Sequence, residues 1–419
     1  MSDFQSVIKN KNFLLLWLSQ FLSQIAINTL NFLVMLRVFD ATGSTVATSL
    51  VWVGFILPAI TIGPFAAALV DRIGKKKVLM IANLVQAIIM LTYAFVPASF
   101  VYLSYIFVVA YSLFNQFYIP AELASLPYLV EKKKLPLANG LFLITLQLGL
   151  VVGFGIAGVM SDLLSFETAF LFAAGVMFIA FLAVGLLPSM EVKNKADKFI
   201  VKKVFSFVGD VLEGFAFIRD RREVLLPFVT IVGLQVALPV ALVNLPIISR
   251  DILGINPHYS GMAVTTPAGI GAMIGIIFVS KRLLKKRKLL IVKNALTFLM
   301  VSFWGAMILV PILAYPYKLI ASTILFIVVG ISFIGVFIPA QTHLQVSTPN
   351  ELMARVFGNS WFVTSAATVF PMLFSASIVD LFGIRTLVIL MGLAVVWVRV
   401  NFDQIVEGRI LFFLKGHEK

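Results

Sequence analysis

Twelve hydrophobic stretches, separated by short polar gaps, occupy most of this chain. Each stretch holds about 17 to 25 residues, which is long enough to cross a hydrocarbon core of about 30 Å as a helix. Hydrophobic residues make up 60% of the chain and charged residues only 12%, and the mean hydropathy is +1.03. Soluble domains carry about 25% charged residues. The sequence therefore predicts an all-α membrane protein with twelve transmembrane helices.

We number these stretches as spans 1 to 12. Their predicted ranges are 13–36, 46–70, 78–97, 100–119, 137–160, 167–187, 224–247, 259–280, 289–313, 318–339, 357–379 and 383–400. Span 1 is too long for the apolar core of a signal peptide and lacks a small-residue cleavage site, so we expect it to stay in the protein.

Basic residues fall almost entirely in alternate gaps between the spans. Of 33 Lys and Arg residues, the gaps on one side and their edges hold four: Arg37, Arg250, Lys318 and Arg385. The positive-inside rule then places both termini in the cytoplasm and the protein in the cytoplasmic membrane. We assign the net charge of +14 to this topology rather than to a nucleic-acid partner.

The longest polar segment separates two sets of six spans. We predict an N-terminal six-helix bundle at 1–188, a cytoplasmic linker with an amphipathic helix at 189–223, a C-terminal bundle at 224–403 and a cytoplasmic tail at 404–419. An internal repeat supports this division, because IPAELASLPYLVEKKKLPLANG follows span 4 and IPAQTHLQVSTPNELMARVFG follows span 10. The repeat predicts two pseudo-symmetric bundles, an arrangement typical of transporters.

A motif between spans 2 and 3 points to a family. The segment GPFAAALVDRIGKKK resembles the loop G-x-x-x-D-x-x-G-[RK]-[RK] of the major facilitator superfamily, with Asp71, Gly74, Lys75 and Lys76 in place and Ala67 where the first Gly is usual. Together with the spans and the repeat, the resemblance covers essentially the whole chain. It implies the major facilitator fold and transport by alternating access.

The spacing of this motif also has a physical reason. A tight turn needs the backbone freedom of Gly74, and the Asp71 carboxylate can face the positive N-terminus of a neighbouring helix. We expect Lys75 and Lys76 to reach the lipid headgroups. The resemblance implies that Asp71 holds the start of span 11 in the outward-open state, so these four residues form a candidate conformational gate. The alternative is a simple stop-transfer turn.

Within the superfamily the chain looks most like the macrolide and multidrug exporters, sometimes called the third drug:proton antiporter family. The segments that carry this likeness are GPFAAALVDR, IPAELASLPYLV, IPAQTHLQ and ARVFG. Span 5 reads GLVVGFGIAG, similar to the antiporter motif G-x-x-x-G-P-x-x-G-G but with Phe154 in place of Pro and Ala157 in place of Gly. Small residues at this spacing also serve close helix packing. The Arg found in span 4 of many proton-coupled drug exporters is missing, which weakens the implied proton coupling.

Polar stripes on spans 1, 4 and 11 are the candidates for substrate contact. Polar side chains at lipid depth are costly unless they meet protein or water, so these stripes either line a central cavity or join helices by hydrogen bonds. The candidate substrate-binding residues are Gln24, Asn28, Asn31, Tyr105, Gln116, Trp361 and Thr364.

Coupling to an ion requires a group that titrates, yet no acidic residue lies near the middle of any span. Glu122 and Asp40 are the ion-coupling candidates, and the alternative is that both are solvated residues at helix ends. His258, like the other two histidines, is expected at the surface. The chain has no cysteine, and we expect no enzyme activity, metal site or cofactor.

The leading hypothesis is an exporter of hydrophobic or amphipathic small molecules that works as a monomer in the lipid bilayer, with the proton as candidate coupling ion. A second hypothesis is a carrier for a defined metabolite such as a siderophore or a lysophospholipid. A membrane scaffold that does not transport is the third, and the gate motif and polar stripes argue against it.

Overall fold

The computed structural model describes residues 7–190, 216–219, 221–283, 288–349 and 352–407. Within these ranges all regular secondary structure is helical, and no strand occurs. Nine helices of the described part are long and apolar enough to cross a membrane. The prediction of an all-α membrane fold is therefore confirmed.

Each predicted span has a helical counterpart. Spans 1 to 6 are Lys11–Thr42, Thr45–Thr61 with Gly63–Ile73, Lys75–Ala94, Leu103–Leu129, Leu135–Leu163 and Phe166–Gly185. Spans 7 to 12 are Arg222–Val243 with Leu245–Ile248, Gly261–Thr265 with Thr266–Leu283, Lys288–Ile312, Tyr317–Ser347, Met353–Phe382 and Ile384–Val400. A short helix, Phe402–Glu407, follows span 12.

The chain divides into two compact units by its internal contacts. Unit 1 comprises Met1–Asp210 and Pro257–Thr266, and unit 2 comprises Val211–Asn256 and Pro267–Lys419. The first residues of span 8 thus pack with the first six spans, although they follow span 7 in the chain. Most of the amphipathic helix predicted within 189–223 lies outside the described residues.

In unit 1 the glycines of span 5 allow span 1 to approach closely. A Cβ atom added at Gly149 would lie 2.5 Å from the Cβ of Gln24, and one added at Gly153 would lie 2.6 Å from the Cβ of Asn28. Real Cβ contacts are longer than this, so only glycine fits at either position. The antiporter-like glycines of span 5 therefore serve helix packing.

Three spans depart from their predicted ranges at prolines, among them span 10, which continues through Pro339 to Ser347 although the prediction ended it at 339. Span 2 is interrupted at Ile62, between Pro58 and Pro64. Span 4 continues to Leu129 through two internal prolines, whereas the prediction ended it at 119. Proline kinks a helix that neighbours support, and need not end it. As a result Glu122 lies inside span 4 and not in a loop after it.

Unit 2 has its own packing. Span 7 contacts spans 10 and 11, and span 9 contacts spans 10 and 12. One apolar cluster joins the start of span 7 to the adjoining ends of spans 10 and 11 through Val224, Phe228, Leu344 and Val356.

Candidate functional site

The gate motif forms the predicted tight turn. The second helix of span 2 ends at Ile73, and Gly74 adopts a φ of +97°, a conformation that residues with a Cβ rarely adopt. The need for glycine at this position is thus accounted for. The Asp71 side chain lies outside the described residues, so its role as a gate stays a prediction.

The two lysines of the motif contact other helices of unit 1. Lys75 is 7% exposed, and its Nζ lies 4.7 Å from the centre of the Tyr128 ring. Lys76 Nζ donates a hydrogen bond to the carbonyl of Leu187, just after span 6. The expectation that these two lysines extend into the headgroups is wrong, because an aromatic face and a carbonyl at a helix end provide partners closer by. The turn is thereby tied to the ends of spans 4 and 6.

Glu122 is 5% exposed and has a neutral partner. The Tyr118 hydroxyl, one helical turn earlier in span 4, donates to Glu122 Oε1 at 2.9 Å. Within the described part of the chain, no lysine or arginine forms an ion pair with Glu122. The alternative of a solvated residue at a helix end is therefore wrong for Glu122, because span 4 carries it into the interior of unit 1.

Tyr118 belongs to a longer hydrogen-bonded chain. Its hydroxyl lies 3.3 Å from Ser19 Oγ in span 1, and Asn83 Nδ2 in span 3 donates to the same Ser19 Oγ at 3.0 Å. Because the only hydroxyl hydrogen of Tyr118 goes to Glu122, Ser19 must donate to Tyr118. Every donor in this chain therefore points toward the carboxylate. We call Glu122, Tyr118, Ser19 and Asn83 the Glu122 network.

The sequence reasoning missed three members of this network. Asn83 and Ser19 are each 0% exposed and Tyr118 is 1% exposed. Signals exist for two of them: Tyr118 and Glu122 stand four residues apart on one helical face, and span 3 carries two amides three residues apart, Asn83 and Gln86. No comparable pattern marks Ser19. The Gln86 amide also binds across helices, to the carbonyl of Tyr111 at 3.3 Å.

Asp40 has a partner of a different kind. Its Oδ2 lies 3.0 Å from Nε2 of His258, and Nδ1 of His258 lies 2.8 Å from Ser161 Oγ. The adjacent Tyr259 hydroxyl donates to Asp162 at 2.6 Å. The His258 side chain is only 14% exposed, so the expectation of a plain surface histidine is wrong. These bonds attach the segment before span 8 to the ends of spans 1 and 5 within unit 1.

The amides of span 1 differ in their partners. Gln20 Nε2 donates to the carbonyl of Phe142 in span 5 at 3.2 Å, and Asn28 Nδ2 donates within its own helix to Gln24 at 2.7 Å. Asn31 is 6% exposed. Gln20 thus joins two helices, whereas the side chain of Gln24 has no hydrogen bond within the described part of the protein.

The polar residues of span 4 mostly bind span 2. The Tyr105 hydroxyl donates to the carbonyl of Ala47 at 3.1 Å, and Ser112 donates to Phe55 at 2.6 Å. Gln116 Nε2 donates to the carbonyl of Ser112 at 3.2 Å. These contacts favour the interpretation of this stripe as hydrogen bonds that hold helices in place.

In span 11, Thr364 is 8% exposed and its hydroxyl lacks a hydrogen-bond partner among the described residues. The side chain of Trp361 lies outside them. The described residues also contain no cluster of three potential metal ligands.

Comparison with known proteins places this geometry in a family. Residues 16–370 match the Major Facilitator Superfamily. The uncharacterized MFS-type transporter YfiS of Bacillus subtilis (strain 168) is 22% identical over 361 residues, which cover 85% of this chain and 84% of YfiS. The uncharacterized MFS-type transporter YjbB of the same organism is 32% identical over 165 residues, and this match spans only 38% of the chain and 40% of YjbB.

Solved structures share the fold. The nucleoside transporter NupG superposes with a TM-score of 0.73 at 14% identity, covering 94% of this chain and 98% of NupG. A POT family transporter in complex with a thioalcohol-conjugated peptide superposes with a TM-score of 0.68 at 13% identity, covering 97% and 99% of the two chains. With the family match over most of its length and twelve spans that follow the same fold, this chain belongs to the Major Facilitator Superfamily.

Proposed function

We propose that this protein is a secondary active transporter that exports hydrophobic or amphipathic small molecules, such as macrolides and similar drugs, across the cytoplasmic membrane. It works by alternating access, and protonation of Glu122 couples export to the proton gradient. The observation that carries this proposal is the burial of Glu122 in the interior of unit 1, where its hydrogen-bond partner among the described residues is the neutral Tyr118 hydroxyl.

An ionised carboxylate in such a place is costly, because hydrocarbon and protein replace its hydration. Three aligned donors offset part of that cost, as each hydrogen bond polarises the next. When a proton neutralises Glu122, the hydrogen bonds donated toward its carboxylate weaken. The hydrogen-bonded chain through Tyr118 and Ser19 can then rearrange. Because that chain joins spans 1, 3 and 4, the protonation state of one residue reaches three helices.

The choice of substrate class rests on what the polar stripes do. The Gln20 amide and the Tyr105 and Ser112 hydroxyls donate hydrogen bonds to backbone carbonyls of neighbouring spans. Among the described residues of the stripes, Gln24 and Thr364 keep free hydrogen-bonding groups, which is fewer than a strongly polar solute would need, such as the nucleosides and peptides named for the solved relatives. Apolar surface with occasional polar groups suits amphipathic compounds better. The resemblance to macrolide exporters points the same way.

Reconstituted transport tests the proposal. Proteoliposomes with an imposed proton gradient should accumulate a labelled macrolide or a lipophilic dye, and Glu122→Gln should abolish uphill accumulation while downhill exchange continues. Glu131→Gln is the matched control, since Glu131 is exposed and pairs with Lys134 at the same predicted end of the span. Uphill transport by the Glu122→Gln variant would overturn the coupling role. Transport of a siderophore or a lysophospholipid and of none of the drugs would favour the metabolite carrier.

A further inference from the structure

Three side-chain amides inside unit 1 are hydrogen-bonded on one side only. Gln20, Asn83 and Gln86 are each at most 1% exposed. The amide nitrogen of each donates a hydrogen bond, whereas the amide oxygen of each has no partner within the described residues. Buried polar atoms without a partner are costly and uncommon, so three of them in one bundle require a physical reason.

The three amides differ in the group that accepts from their nitrogen. Gln20 and Gln86 donate to backbone carbonyls. A carbonyl can only accept, so these two amides are held in one orientation. Asn83 instead donates to the Ser19 hydroxyl at 3.0 Å, and a hydroxyl both donates and accepts. Of the three amides, Asn83 is therefore the one that can make a half turn and still bond to the same partner, now through its oxygen.

The rest of the Glu122 network can reverse its direction in the same way. A carboxyl group becomes a donor when it gains a proton, and each hydroxyl in the network can exchange its donor and acceptor roles. A neutral Glu122 can donate to Tyr118 across 2.9 Å, and Tyr118 can then donate to Ser19 across 3.3 Å. Ser19 finally donates to the oxygen of Asn83, which is unpaired in the present arrangement. This reversal moves hydrogens and one amide, and it requires no movement of a helix.

We propose that Asn83 is a positioning residue that responds to the protonation state of Glu122 through this chain. With Glu122 ionised, Asn83 donates and every donor in the network points toward the carboxylate. When a proton binds Oε1 of Glu122, the network reverses and the Asn83 amide makes its half turn. This role rests on the proposed function, since Glu122 must gain and lose a proton during transport.

Reversal lowers the cost of neutralising Glu122. Without it, a proton on Oε1 would meet the hydrogen of Tyr118, and the bond between the two side chains would be lost. Either orientation of Asn83 leaves one amide atom unpaired, so the half turn itself changes the energy little. Bonds between neutral groups are about half as strong as bonds to an ionised carboxylate. The reversed network therefore holds spans 1, 3 and 4 together less firmly, but it stays connected.

Few charged groups lie near this network. Spans 1, 2, 3 and 5 pack against span 4, and spans 1, 2 and 5 have no titratable residue in the segments 13–36, 46–70 and 137–160. Span 3 contributes Tyr93 near one end and three lysines at its start, Lys75, Lys76 and Lys77. Lys75 lies against the ring of Tyr128, Lys76 is bonded to a backbone carbonyl and Lys77 is exposed. The side chains of Asp71 and Arg72 lie outside the described residues. Tyr118 is thus the titratable partner that the described residues place beside Glu122.

Isotope-edited infrared spectroscopy of the purified full-length protein in lipid tests this role. With asparagine labelled at its side-chain carbonyl, acidification should shift one asparagine band to lower frequency, because an unpaired carbonyl gains a donor. The band should be missing from Asn83→Leu, which assigns it. The shift should be lost in Glu122→Gln and also in Tyr118→Phe, where Glu122 still takes up a proton but the chain to Ser19 is broken. With glutamine labelled instead, the band that is missing from Gln86→Leu should not shift.

The carboxylic acid band of Glu122 separates this role from the proposed coupling function. If that band appears on acidification while the Asn83 band stays fixed, the role of Asn83 is overturned and the coupling function stands. A shift that persists in Tyr118→Phe would also overturn it, because Asn83 would then respond by another route. If no acid band of Glu122 appears at any pH at which the protein stays folded, the coupling function fails and the role of Asn83 fails with it.

Transport in proteoliposomes provides a second measurement. Asn83→Leu should lower uphill accumulation severalfold relative to downhill exchange, because the reversed network loses its last acceptor. Gln86→Leu is the matched control, since it removes an equally buried amide from the same span and should leave this ratio unchanged. Equal ratios in the two variants would overturn the role of Asn83. Size-exclusion profiles identify any variant that has lost its fold, and the infrared comparison of the wild type with Tyr118→Phe stays decisive in that case.

Discussion

Unit 1 holds two carboxylates that lie near the ends of different spans and differ in their partners. Glu122 near the end of span 4 is 5% exposed and accepts from a tyrosine. Asp40 near the end of span 1 has a side chain that is 39% exposed, and it bonds to a histidine. In the predicted topology the first is close to the cytoplasm and the second close to the outside.

The different burial of the two carboxylates suits them to different roles, although both carry the same functional group. A buried carboxylate without a cation is sensitive to its proton, because gaining or losing the charge changes a large solvation energy. A partly exposed ion pair is solvated in either state and contributes about 1 kcal/mol or less. Glu122 is therefore suited to energy coupling, and Asp40 to holding a segment in place.

The largest expected effect comes from replacing each of the two acids, in separate variants, by its amide. Glu122→Gln should abolish uphill accumulation in proteoliposomes, whereas Asp40→Asn should lower the rate about fivefold or less, because only an exposed pair is lost. Tyr118→Phe removes the donor to Glu122 while preserving shape, so it should shift the pH at which transport is half-maximal. If Asp40→Asn proves the more damaging change, the assignment of roles must be reversed.

Much of the fold was predictable, because hydrophobic length and basic gaps report directly on the bilayer. All twelve spans have helical counterparts, and Gly74 stands where the motif needs a glycine. The errors occur where tertiary packing overrides a local rule. The prediction ended span 4 at 119, but the helix continues through Pro120 and Pro127 to Leu129. The segment before span 8 packs with unit 1, and chain order contains no signal for that.

The site was less predictable for the same reason. Glu122 and Asp40 could be chosen as the acids nearest the spans, but their partners Tyr118 and His258 depend on contacts between and along helices that a sequence does not display. The amides of span 1 show what a sequence cannot predict. The periodicity of the sequence identifies the polar face, but only the structure distinguishes Gln20, which donates to the carbonyl of Phe142, from Gln24, which has no such bond.

In the predicted topology Glu122 and Asp40 lie toward opposite sides of the membrane, and cysteine labelling tests this placement. A cysteine at exposed Lys77 should react only with membrane-permeant reagents in intact cells, and a cysteine at exposed Ser99 should react with impermeant ones. His258 is too well covered to serve as the outer reporter. Because the chain has no native cysteine, the unmodified protein is the blank. The opposite labelling pattern would invert the topology.

Substitutions in span 1 should have smaller effects, and they distinguish amides that pack helices from amides that contact substrate. Gln20→Leu removes the hydrogen bond that joins span 1 to the carbonyl of Phe142 in span 5 and should destabilise the protein by about 0.5 to 1.5 kcal/mol, lowering the rate for every compound alike. Gln24→Leu should leave the unfolding temperature unchanged and alter the relative export of different compounds. Thermal unfolding in detergent and a panel of dyes and macrolides measure the two outcomes. Destabilisation by Gln24→Leu would identify that amide as packing too.

The smallest effect concerns the Asp40–His258 pair. Nε2 of His258 donates to the Asp40 carboxylate at 3.0 Å, and Nδ1 lies 2.8 Å from Ser161 Oγ, which also donates to the carbonyl of Gly158 at 2.9 Å. The Phe166 ring lies 5.5 Å from the imidazole ring.

A double-mutant cycle with Asp40→Asn and His258→Gln, measured by unfolding in detergent, should therefore yield a coupling of about 0.2 to 1 kcal/mol, because the pair is partly exposed. The pair of Tyr259 and Asp162 is the control, since its bond joins the same segment to the end of span 5 and a change at Asp40 should leave it intact. A coupling of zero between Asp40 and His258 would mean that their bond does not hold the segment in place. The contrast with Glu122 would then rest on burial alone.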